Sequence, residues 1–432
     1  MWTFVFAIGS SSARWQGGDA VAKDSSLVVG LDIGTTKVCA IVAEVSAEGS
    51  VDVIGIGISP SRGLRKGVVV NIEATVDSVR RAVEDAELMA GVEIRSAFVG
   101  IAGGHIKGIN SRGVIAISGK NREVTRQDIE RVIDAAKAVA LPVDREVIHI
   151  LPQEFIIDDQ TGIKEPLGMS GIRLEAEVHI VTGAVASAQN IIKCANKAGL
   201  EVQDIVLQQL ASSEATLTPE EKDLGCVLVD VGGGTTDVAV FVEGSIYHTA
   251  VLAVGGDMLT NDIAIGLRTP RPDAESLKRK YGCALAALVR PDEKIEVPSV
   301  GGRRPRVLTR QTLCEIIQPR LDELFSMVDR EVRRAGYTGR VNGGVVVTGG
   351  SSIMEGVPEL AEQIFDIPVR RGIPRGVGGL TDVISNPMYA TGVGLGIYGA
   401  AHKGHRKFKQ VTDRNIFDKV VVRMKEWFGE FF

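Results

Sequence analysis

The sequence predicts an α/β protein made of two related halves that face each other across a cleft. A strand, a tight Asp-x-Gly turn and a second strand occupy 27–45, and the same pattern returns at 226–243. The two units lie about 200 residues apart, which indicates an internal duplication. Glycine supplies 50 of the 432 residues without a Gly-x-x period, so tight turns are expected rather than a collagen-like fibre.

Apolar spacing places the other elements in chain order. Apolar residues at 72, 76, 79, 83 and 86 have helical spacing, whereas runs of β-branched residues indicate strands. Thr125 and Asp128 form a capping box at the start of the second helix, and Gly199 ends the third. Besides the duplicated units, the predicted strands are 51–58, 96–102, 148–158, 173–182 and 345–348, and the predicted helices are 72–91, 124–139, 187–198, 355–365 and 416–432.

Charge and cysteine content exclude several classes of protein. The chain has 49 basic and 54 acidic residues, a formal net charge of −5, which argues against a nucleic-acid partner. The five cysteines lack the spacing of zinc or redox motifs and are expected to be buried and reduced. No apolar run reaches the ~18–20 residues of a spanning helix. Residues 1–26 are predicted to be a disordered extension rather than a signal peptide.

The two Asp-x-Gly turns have the features of phosphate-binding loops. Glycines let the backbone turn so that successive N–H groups point into one gap, where they and threonine hydroxyls can hold phosphate oxygens. An aspartate beside phosphate needs a cation between them, so Asp32 and Asp230 are expected to hold Mg2+ through water. Two ordinary glycine-rich hairpins are the alternative. The candidate phosphate ligands are Gly34, Thr35 and Thr36 in the first turn, and Gly232, Gly233, Gly234, Thr235 and Thr236 in the second.

A third glycine motif follows the apolar strand 345–348. Gly349, Gly350 and Ser351 would let a flat purine approach the backbone where a side chain would block it. In isolation, a simple glycine turn explains this motif equally well. Its position after two phosphate turns favours an adenosine site.

This order of motifs resembles the actin/Hsp70/sugar-kinase ATPase superfamily. Within it, the chain is similar over about 27–432 to the FtsA family of actin-like bacterial division proteins. The most specific stretches are PQEFIIDDQTGIKEPLGMSG (152–171), DVGGGTTDVAVF (230–241) and VPSVGGRRPRVLTRQTLCEIIQPR (297–320). The resemblance implies an actin-like (ribonuclease-H-like) fold of duplicated domains around a nucleotide cleft, with an inserted α+β subdomain 1C that is SHS2-like, and a C-terminal amphipathic helix.

The resemblance also implies the division of the chain into subdomains. Subdomain 1A would comprise 27–105 and 177–207, and subdomain 1C would comprise 106–176. Subdomain 2A would comprise 208–258 and 341–401, with subdomain 2B at 259–340. A flexible basic linker, 402–415, would lead to the amphipathic helix 416–432.

Further nucleotide contacts rest on the same resemblance. Gln208 matches a residue that orients the attacking water, yet this position varies in the family, so weak or no ATPase activity is expected. Glu275 and Lys278 match a pair that holds ribose and adenine, although a surface i,i+3 ion pair is the alternative. Lys37 and Gly256 complete the candidate site for ATP and Mg2+.

The C-terminal segment has the pattern of a membrane-surface helix. Its apolar residues form one helical face, and 17 residues with several charges can lie in a bilayer interface but not span it. The linker carries five basic residues against one acidic residue, which favours anionic lipid. A helix docked on the protein's own surface is the alternative. The apolar face consists of Phe417, Val420, Val421, Met424, Trp427, Phe428 and Phe431.

The resemblance implies an ATP-binding division protein that polymerises with itself and anchors the FtsZ ring. It would be a peripheral protein on the cytoplasmic face of the inner membrane at the septum, and would help to recruit later divisome membrane proteins. The FtsZ C-terminal tail would bind subdomain 2B, where arginine forks suit its carboxylates, although a solvated basic loop is the alternative. The candidate residues are Arg303, Arg304, Arg306 and Arg310.

Three other functions share the fold. A small-molecule kinase would need a substrate-binding aspartate base and a sugar pocket, for which the sequence has no motif. An Hsp70-like chaperone would need a β-rich domain after the ATPase, where only about 30 residues remain. A pilus-assembly protein of this fold would share the phosphate turns but lack the lipid-binding tail.

Overall fold

The duplicated units form the centres of two separate sheets. The computed structural model describes residues 26–118 and 120–402. The first sheet has the strand order β11-β6-β1-β2-β3-β19, where β11 is Glu201–Leu207 and β19 is Gly378–Gly379. β1 and β2 are the antiparallel strands of the first unit, and β6 pairs with β1 in parallel. The elements are β1 (Ser26–Ile33), β2 (Lys37–Val45), β3 (Val51–Pro60), β4 (Leu64–Arg65), β5 (Val68–Val69), α1 (Ile72–Ala90) and β6 (Ser96–Ile101).

An inserted α+β domain follows β6. Its four strands have the order β7-β10-β8-β9, and α2 packs on this sheet. The predicted capping box of α2 is confirmed, because Thr125 Oγ1 accepts the Asp128 N–H and Asp128 Oδ2 accepts the Thr125 N–H. The elements are β7 (Lys107–Ala116), α2 (Arg126–Lys137), β8 (Arg145–Ile157), β9 (Gln160–Ile163) and β10 (Arg173–Ala184).

The strand β10 runs through the predicted boundary of subdomain 1C at 176/177. It pairs with β8 from the Leu174–Ile157 pair to the Ala184–Arg145 pair. We therefore propose that the inserted domain ends after Ala184. The other predicted boundaries remain proposals.

The chain then returns to the first sheet before it crosses to the second. β11 adds to β6 in parallel, and α4 starts at the residue after it. α4 contacts strands of both sheets, so it connects the two halves. The elements are α3 (Val185–Lys197), β11 (Glu201–Leu207), α4 (Gln208–Thr216) and α5 (Pro219–Leu224).

The half of the molecule built on the first sheet is called the first lobe, and the half built on the sheet of the second unit is called the second lobe. The second lobe repeats the strand–turn–strand arrangement. Its sheet has the order β14-β13-β12-β17-β18, where β17 is Val345–Thr348 and β18 is Val369–Arg371. β12 and β13 are antiparallel, and β17 is parallel to β12. A separate two-stranded sheet, β15-β16, precedes the long helix α8. The elements up to this point are β12 (Cys226–Val231), β13 (Thr236–Val242), β14 (Ser245–Leu252), α6 (Gly256–Leu267), α7 (Arg271–Tyr281), β15 (Lys294–Val297), β16 (Arg306–Thr309) and α8 (Arg310–Arg334).

The last part of the chain completes both lobes. α11 returns to the first lobe, where it packs against β1 and α4. At the closest approach of these two helices, a Cβ added at Gly394 would lie 1.8 Å from the Ala211 carbonyl oxygen. The elements are β17 (Val345–Thr348), α9 (Val357–Phe365), β18 (Val369–Arg371), β19 (Gly378–Gly379), α10 (Thr381–Ile384) and α11 (Ala390–Ala401). No helix within 26–118 and 120–402 is both long and apolar enough to cross a membrane.

All five cysteines are buried and none is in a disulfide, as predicted. Burial raises the pKa of each thiol, to about 11 for Cys39 and Cys314 and to about 12 for Cys226. The thiols are therefore protonated at neutral pH, and they act as small apolar groups of the cores.

Candidate functional site

A cleft of about 1070 Å³ lies between the two lobes. Both Asp-x-Gly turns contribute to its walls, together with Gly349, Gly350 and Ser351 after β17. The three motifs that the sequence singled out are therefore brought together in one cavity. Its volume is large enough for a nucleotide.

The two turns have the same backbone geometry. Gly34 N–H donates to the Lys37 carbonyl at 2.9 Å, and Gly232 N–H donates to the Thr235 carbonyl at 2.9 Å. Each turn thus closes one hydrogen bond and leaves the intervening N–H groups for a ligand. The duplication seen in the sequence is a duplication of this turn.

The two turns also contact each other across the cleft. A Cβ added at Gly233 would lie 2.3 Å from Thr36 Cγ2, and one added at Gly234 would lie 2.6 Å from Thr35 Oγ1. Threonine side chains of the first lobe therefore occupy the space that side chains at these glycines would need. The close approach explains why the second turn has glycine at both positions.

Two side chains donate to the Asp32 carboxylate. One is Lys37 in the first turn, and the other is Gln208 at the start of α4, the helix that connects the two lobes. Lys37 Nζ lies 3.0 Å from Asp32 Oδ2, and Gln208 Nε2 donates to Asp32 Oδ1 at 3.1 Å. Burial opposes the charge of Lys37, but the nearby acidic groups, with Asp32 the foremost, together outweigh it and raise the lysine pKa. The Lys37 ammonium is thus a fixed positive charge at the first turn.

Asp230 is held by two hydroxyl groups. Ser212 Oγ donates to Asp230 Oδ2 at 2.6 Å, and Thr391 Oγ1 donates to the same oxygen at 3.2 Å. Burial raises the pKa of Asp230, and the negative charge of Asp32 adds to this effect. Ser212 could have been found from the sequence, since it follows Gln208 by one helical turn on α4. Thr391 lies in the last helix and has no such signal.

Asp237 is a further carboxyl group in the cleft that the sequence reasoning missed. It is the cross-strand partner of Asp230 and lines the same cavity. Its Oδ2 accepts from Thr235 Oγ1 at 3.0 Å, whereas its buried Oδ1 has no partner among the described residues. Burial raises its pKa well above the usual range. A cation or ordered water in the cleft would satisfy this oxygen.

One end of the cleft combines the third glycine motif with α6 and α7. Gly349 has a left-handed φ of 85°, and Ser351 Oγ donates to the Gly232 carbonyl at 3.2 Å. Lys278 Nζ lies 2.7 Å from Glu275 and donates to the Gly256 carbonyl at 3.0 Å. The i,i+3 ion pair is therefore real, but Lys278 is nearly buried and both residues line the cleft.

Two sequence models of protein families match the chain. One is described as "Cell division protein FtsA" and matches residues 227–394, and the other, "SHS2 domain inserted in FTSA", matches residues 103–182. The "Cell division protein FtsA" of Pseudomonas aeruginosa is 55% identical over 413 residues, which cover 94% of this chain and 99% of that protein.

This chain belongs to the FtsA family of cell division proteins.

Other FtsA proteins match over similar lengths. The FtsA of Escherichia coli K12 is 42% identical over 416 residues, covering 94% of this chain and 98% of that protein. The Bacillus subtilis FtsA is 39% identical over 372 residues, covering 86% of this chain and 83% of that protein. The match therefore includes the inserted domain and both lobes.

Solved structures with the same architecture confirm the predicted actin-like fold. A chain of the "PilM-PilN type IV pilus biogenesis complex" has a TM-score of 0.61 at 17% identity, covering 86% of this chain and 98% of that one. MreB5 of Spiroplasma citri, solved with ADP, has a TM-score of 0.53 at 15% identity, and the match covers 87% of this chain and 96% of the MreB5 chain. At these identities, the likeness concerns the fold alone.

The arginines predicted from the FtsA resemblance differ in their exposure. Arg303, Arg304 and Arg306 are exposed, and the Arg306 guanidinium also donates to the Leu267 carbonyl. Arg310 lines the cleft, where its guanidinium contacts Glu293 and Glu355 and its side chain is only 15% exposed. The predicted role of Arg310 in binding the FtsZ tail stays a prediction, and these two carboxylates already contact its guanidinium.

The predicted membrane helix of this FtsA-family chain lies outside the described residues. The extension 1–25 and the linker beyond His402 lie outside them as well. The predictions for these segments therefore stay predictions. The apolar residues concerned are Phe417, Val420, Val421, Met424, Trp427, Phe428 and Phe431.

Proposed function

We propose that the cleft binds ATP together with Mg2+. The observation that carries this proposal is the facing pair of Asp-x-Gly turns, which close the same hydrogen bond and leave N–H groups directed into one cavity. Such N–H groups and the adjacent threonine hydroxyls are suited to phosphate oxygens. Two turns of this kind, one from each lobe, would hold the phosphate chain of one nucleotide between them.

Two carboxyl groups of the cleft suit a divalent cation that is held through water. Among the described residues, no group of three acidic, histidine or cysteine side chains is placed to bind a metal directly. Asp32 and Asp230 come from opposite lobes, and Asp237 adds a buried oxygen without a partner among the described residues. Oxygen ligands are those that Mg2+ prefers, with several of its waters retained. When bound, Mg2+ would neutralise phosphate charge. Asp32 and Asp230 would hold it through water.

The remaining cleft residues have distinct proposed roles. The ammonium of Lys37 would face the phosphate chain. Gln208 would orient water, yet its amide already donates to Asp32, so we expect weak or no hydrolysis. Glu275 and Lys278 would contact ribose and adenine opposite Gly349, Gly350 and Ser351, and Gly256 would let the nucleoside approach the start of α6.

Calorimetry tests the nucleotide proposal directly. ATP should bind the purified chain at one site, and EDTA should weaken the binding because the phosphate charge then faces the carboxyl groups of Asp32 and Asp230 without a cation. Inorganic phosphate at the same concentration is the control, and it should not compete. Absence of ATP binding in the presence of Mg2+ would refute the proposal.

We propose that this division protein is a tether that polymerises and links the FtsZ ring to the inner membrane. The amphipathic pattern of 416–432 supports attachment to anionic lipid, and the basic linker adds to it. Arg303 and Arg304, which are exposed, would bind the acidic tail of FtsZ. Filaments would bind membranes through many tails at once, and would present the inserted domain to later divisome membrane proteins.

Flotation with liposomes that contain anionic bacterial lipids tests whether the chain links FtsZ to a membrane. The wild type should float with liposomes and carry FtsZ with it. The variant with Trp427→Glu and Phe428→Glu should stay at the bottom, because two charges are placed in the apolar face. Added salt should weaken but not abolish flotation, since the apolar face is insensitive to screening.

A second variant separates the two ends of the tether. Arg303→Glu with Arg304→Glu should float as the wild type does, but leave FtsZ behind. In a second double variant, Arg303→Gln with Arg304→Gln, the new side chains are uncharged. Its FtsZ binding shows how much of the loss in the glutamate variant comes from repulsion between the new glutamates and the acidic FtsZ tail. Flotation of the Trp427 and Phe428 double variant would favour a helix docked on the protein itself, and FtsZ carried by the glutamate variant would refute the arginine site.

A further inference from the structure

The inserted domain contacts both lobes, and a short run of chain connects each contact to residues at the cleft. The first contact is made by the buried side chain of His149, which lies on β8. Its Nε2 accepts the Leu207 N–H at 3.0 Å. Leu207 is followed directly by Gln208, whose amide donates to Asp32. Leu207 is therefore the single residue between His149 of the inserted domain and Gln208, which donates to Asp32 beside the first turn.

The second contact joins the inserted sheet to β14 of the other lobe. Gln153 Nε2 donates to the Ile246 carbonyl at 3.0 Å, and Asn110 Nδ2 donates to the Tyr247 carbonyl at 3.2 Å. His179 Nε2 lies 2.8 Å from Thr249 Oγ1. Three strands of the inserted domain thus bind one strand of the second lobe.

Three of the side chains in this second contact, Gln153, His179 and Thr249, are buried, whereas Asn110 is exposed. Because Asn110 Nδ2 donates to a carbonyl, its Oδ1 must accept from His179 Nδ1, which lies 2.6 Å away. His179 Nε2 then accepts from the Thr249 hydroxyl. Burial lowers the pKa of His179 to about 3, so it is neutral as this arrangement requires. Breaking the contact would leave several buried polar groups unpaired, which is costly.

A short run of chain connects this contact to the second phosphate turn. β14 ends at Leu252, which pairs with Thr236 of the turn. Thr236 Oγ1 then donates to the Val254 carbonyl at 2.9 Å, and Asp257 N–H donates to the Gly233 carbonyl at 2.8 Å. Four residues therefore lie between Thr249, which contacts the inserted domain, and Val254, which accepts the hydrogen bond from the second turn.

We propose that the inserted domain is a bridge between the two phosphate turns and regulates the nucleotide site. Separation of the lobes would break its hydrogen bonds to Leu207 or to β14. Nucleotide in the cleft and an intact bridge therefore stabilise each other, and by reciprocity a ligand of the inserted domain changes nucleotide affinity. The predicted change in ATP affinity rests on the proposed nucleotide binding. The structural coupling between the inserted domain and the second Asp-x-Gly turn does not depend on nucleotide.

A bridge variant tests this link without nucleotide. Gln153→Leu with Thr249→Val removes two donors at nearly constant volume, and neither residue lines the cleft. Amide hydrogen exchange at 231–236 and 253–257 should become faster by at least about fivefold, the low end of typical coupling between sites. Ser111→Ala is the matched control, because the Ser111 hydroxyl donates only within the inserted domain, to Ala136.

The same variants then test the effect on the nucleotide. ATP affinity of the bridge variant should fall by about fivefold or more, with the Ser111→Ala affinity unchanged. ATP should slow exchange at 107–116 and 147–154 in the wild type but not in the bridge variant. If the double variant does not fold, Thr249→Val alone serves, with Thr249→Ser as the variant that keeps the hydroxyl.

Two results would overturn the inference. The first is unchanged exchange of the phosphate turn in the bridge variant, and the second is equal ATP affinity in the bridge variant and the wild type. A wild type that binds no ATP contradicts the proposed function instead, and the exchange measured without nucleotide still decides whether the bridge exists.

Discussion

Replacing Gly233 by valine should weaken ATP binding more than tenfold, or over ~1.4 kcal/mol. The new Cβ would lie 2.3 Å from Thr36 Cγ2, so the two phosphate turns would be forced apart. Asp230→Ala should have an effect of similar size, since it removes a proposed Mg2+ ligand. Isothermal titration calorimetry with ATP and Mg2+ measures both.

The matched control for this substitution is Gly339→Val. Gly339 is exposed in the same lobe, and a Cβ there meets no atom within 4 Å. This variant should bind ATP as the wild type does. Equal affinity of the Gly233 variant and its control would show that the phosphates do not pass between the two turns.

Gly394→Ala should lower the free energy of unfolding by about 3 kcal/mol, the upper part of the usual range for overpacking. The added methyl would lie 1.8 Å from the Ala211 carbonyl oxygen, so α11 and α4 would have to separate. Urea unfolding followed by circular dichroism measures the change.

Gly396→Ala is the matched control on the same helix. Its Cβ would lie 3.9 Å from Ala43 Cβ, an ordinary contact, and alanine favours a helix by about 1 kcal/mol over glycine. This variant should therefore be as stable as the wild type or more stable. Equal unfolding midpoints for the two variants would mean that the contact between α4 and α11 is not tight.

The elements that could be predicted from the sequence are those with local signals. The strand–turn–strand units have β-branched runs around glycines, and the α2 capping box is a four-residue pattern, so both were found. The end of β10 was not, because pairing with β8 rather than its own sequence extends it to Ala184. Strand ends depend on the partner strand.

The parts of the site that were missed depend on contacts between distant segments. Thr391 reaches Asp230 only because α11 packs beside α4. Arg310 reads as part of a basic run, yet Thr309 caps α8 and Arg310 turns toward Glu293 and Glu355. Asp237 reads as one polar residue in a strand, and only its pairing with Asp230 reveals that it faces the cleft.

The buried thiols make the chain suitable for fluorescence measurements of lobe movement. Only the thiolate reacts readily with a maleimide dye, and burial keeps all five native cysteines protonated and inaccessible. A cysteine introduced at Glu93 in the first lobe and another at Arg334 in the second, both exposed, would therefore take up nearly all the label. Energy transfer between two dyes at these positions would follow the distance between the lobes as ATP is added, without removal of any native cysteine.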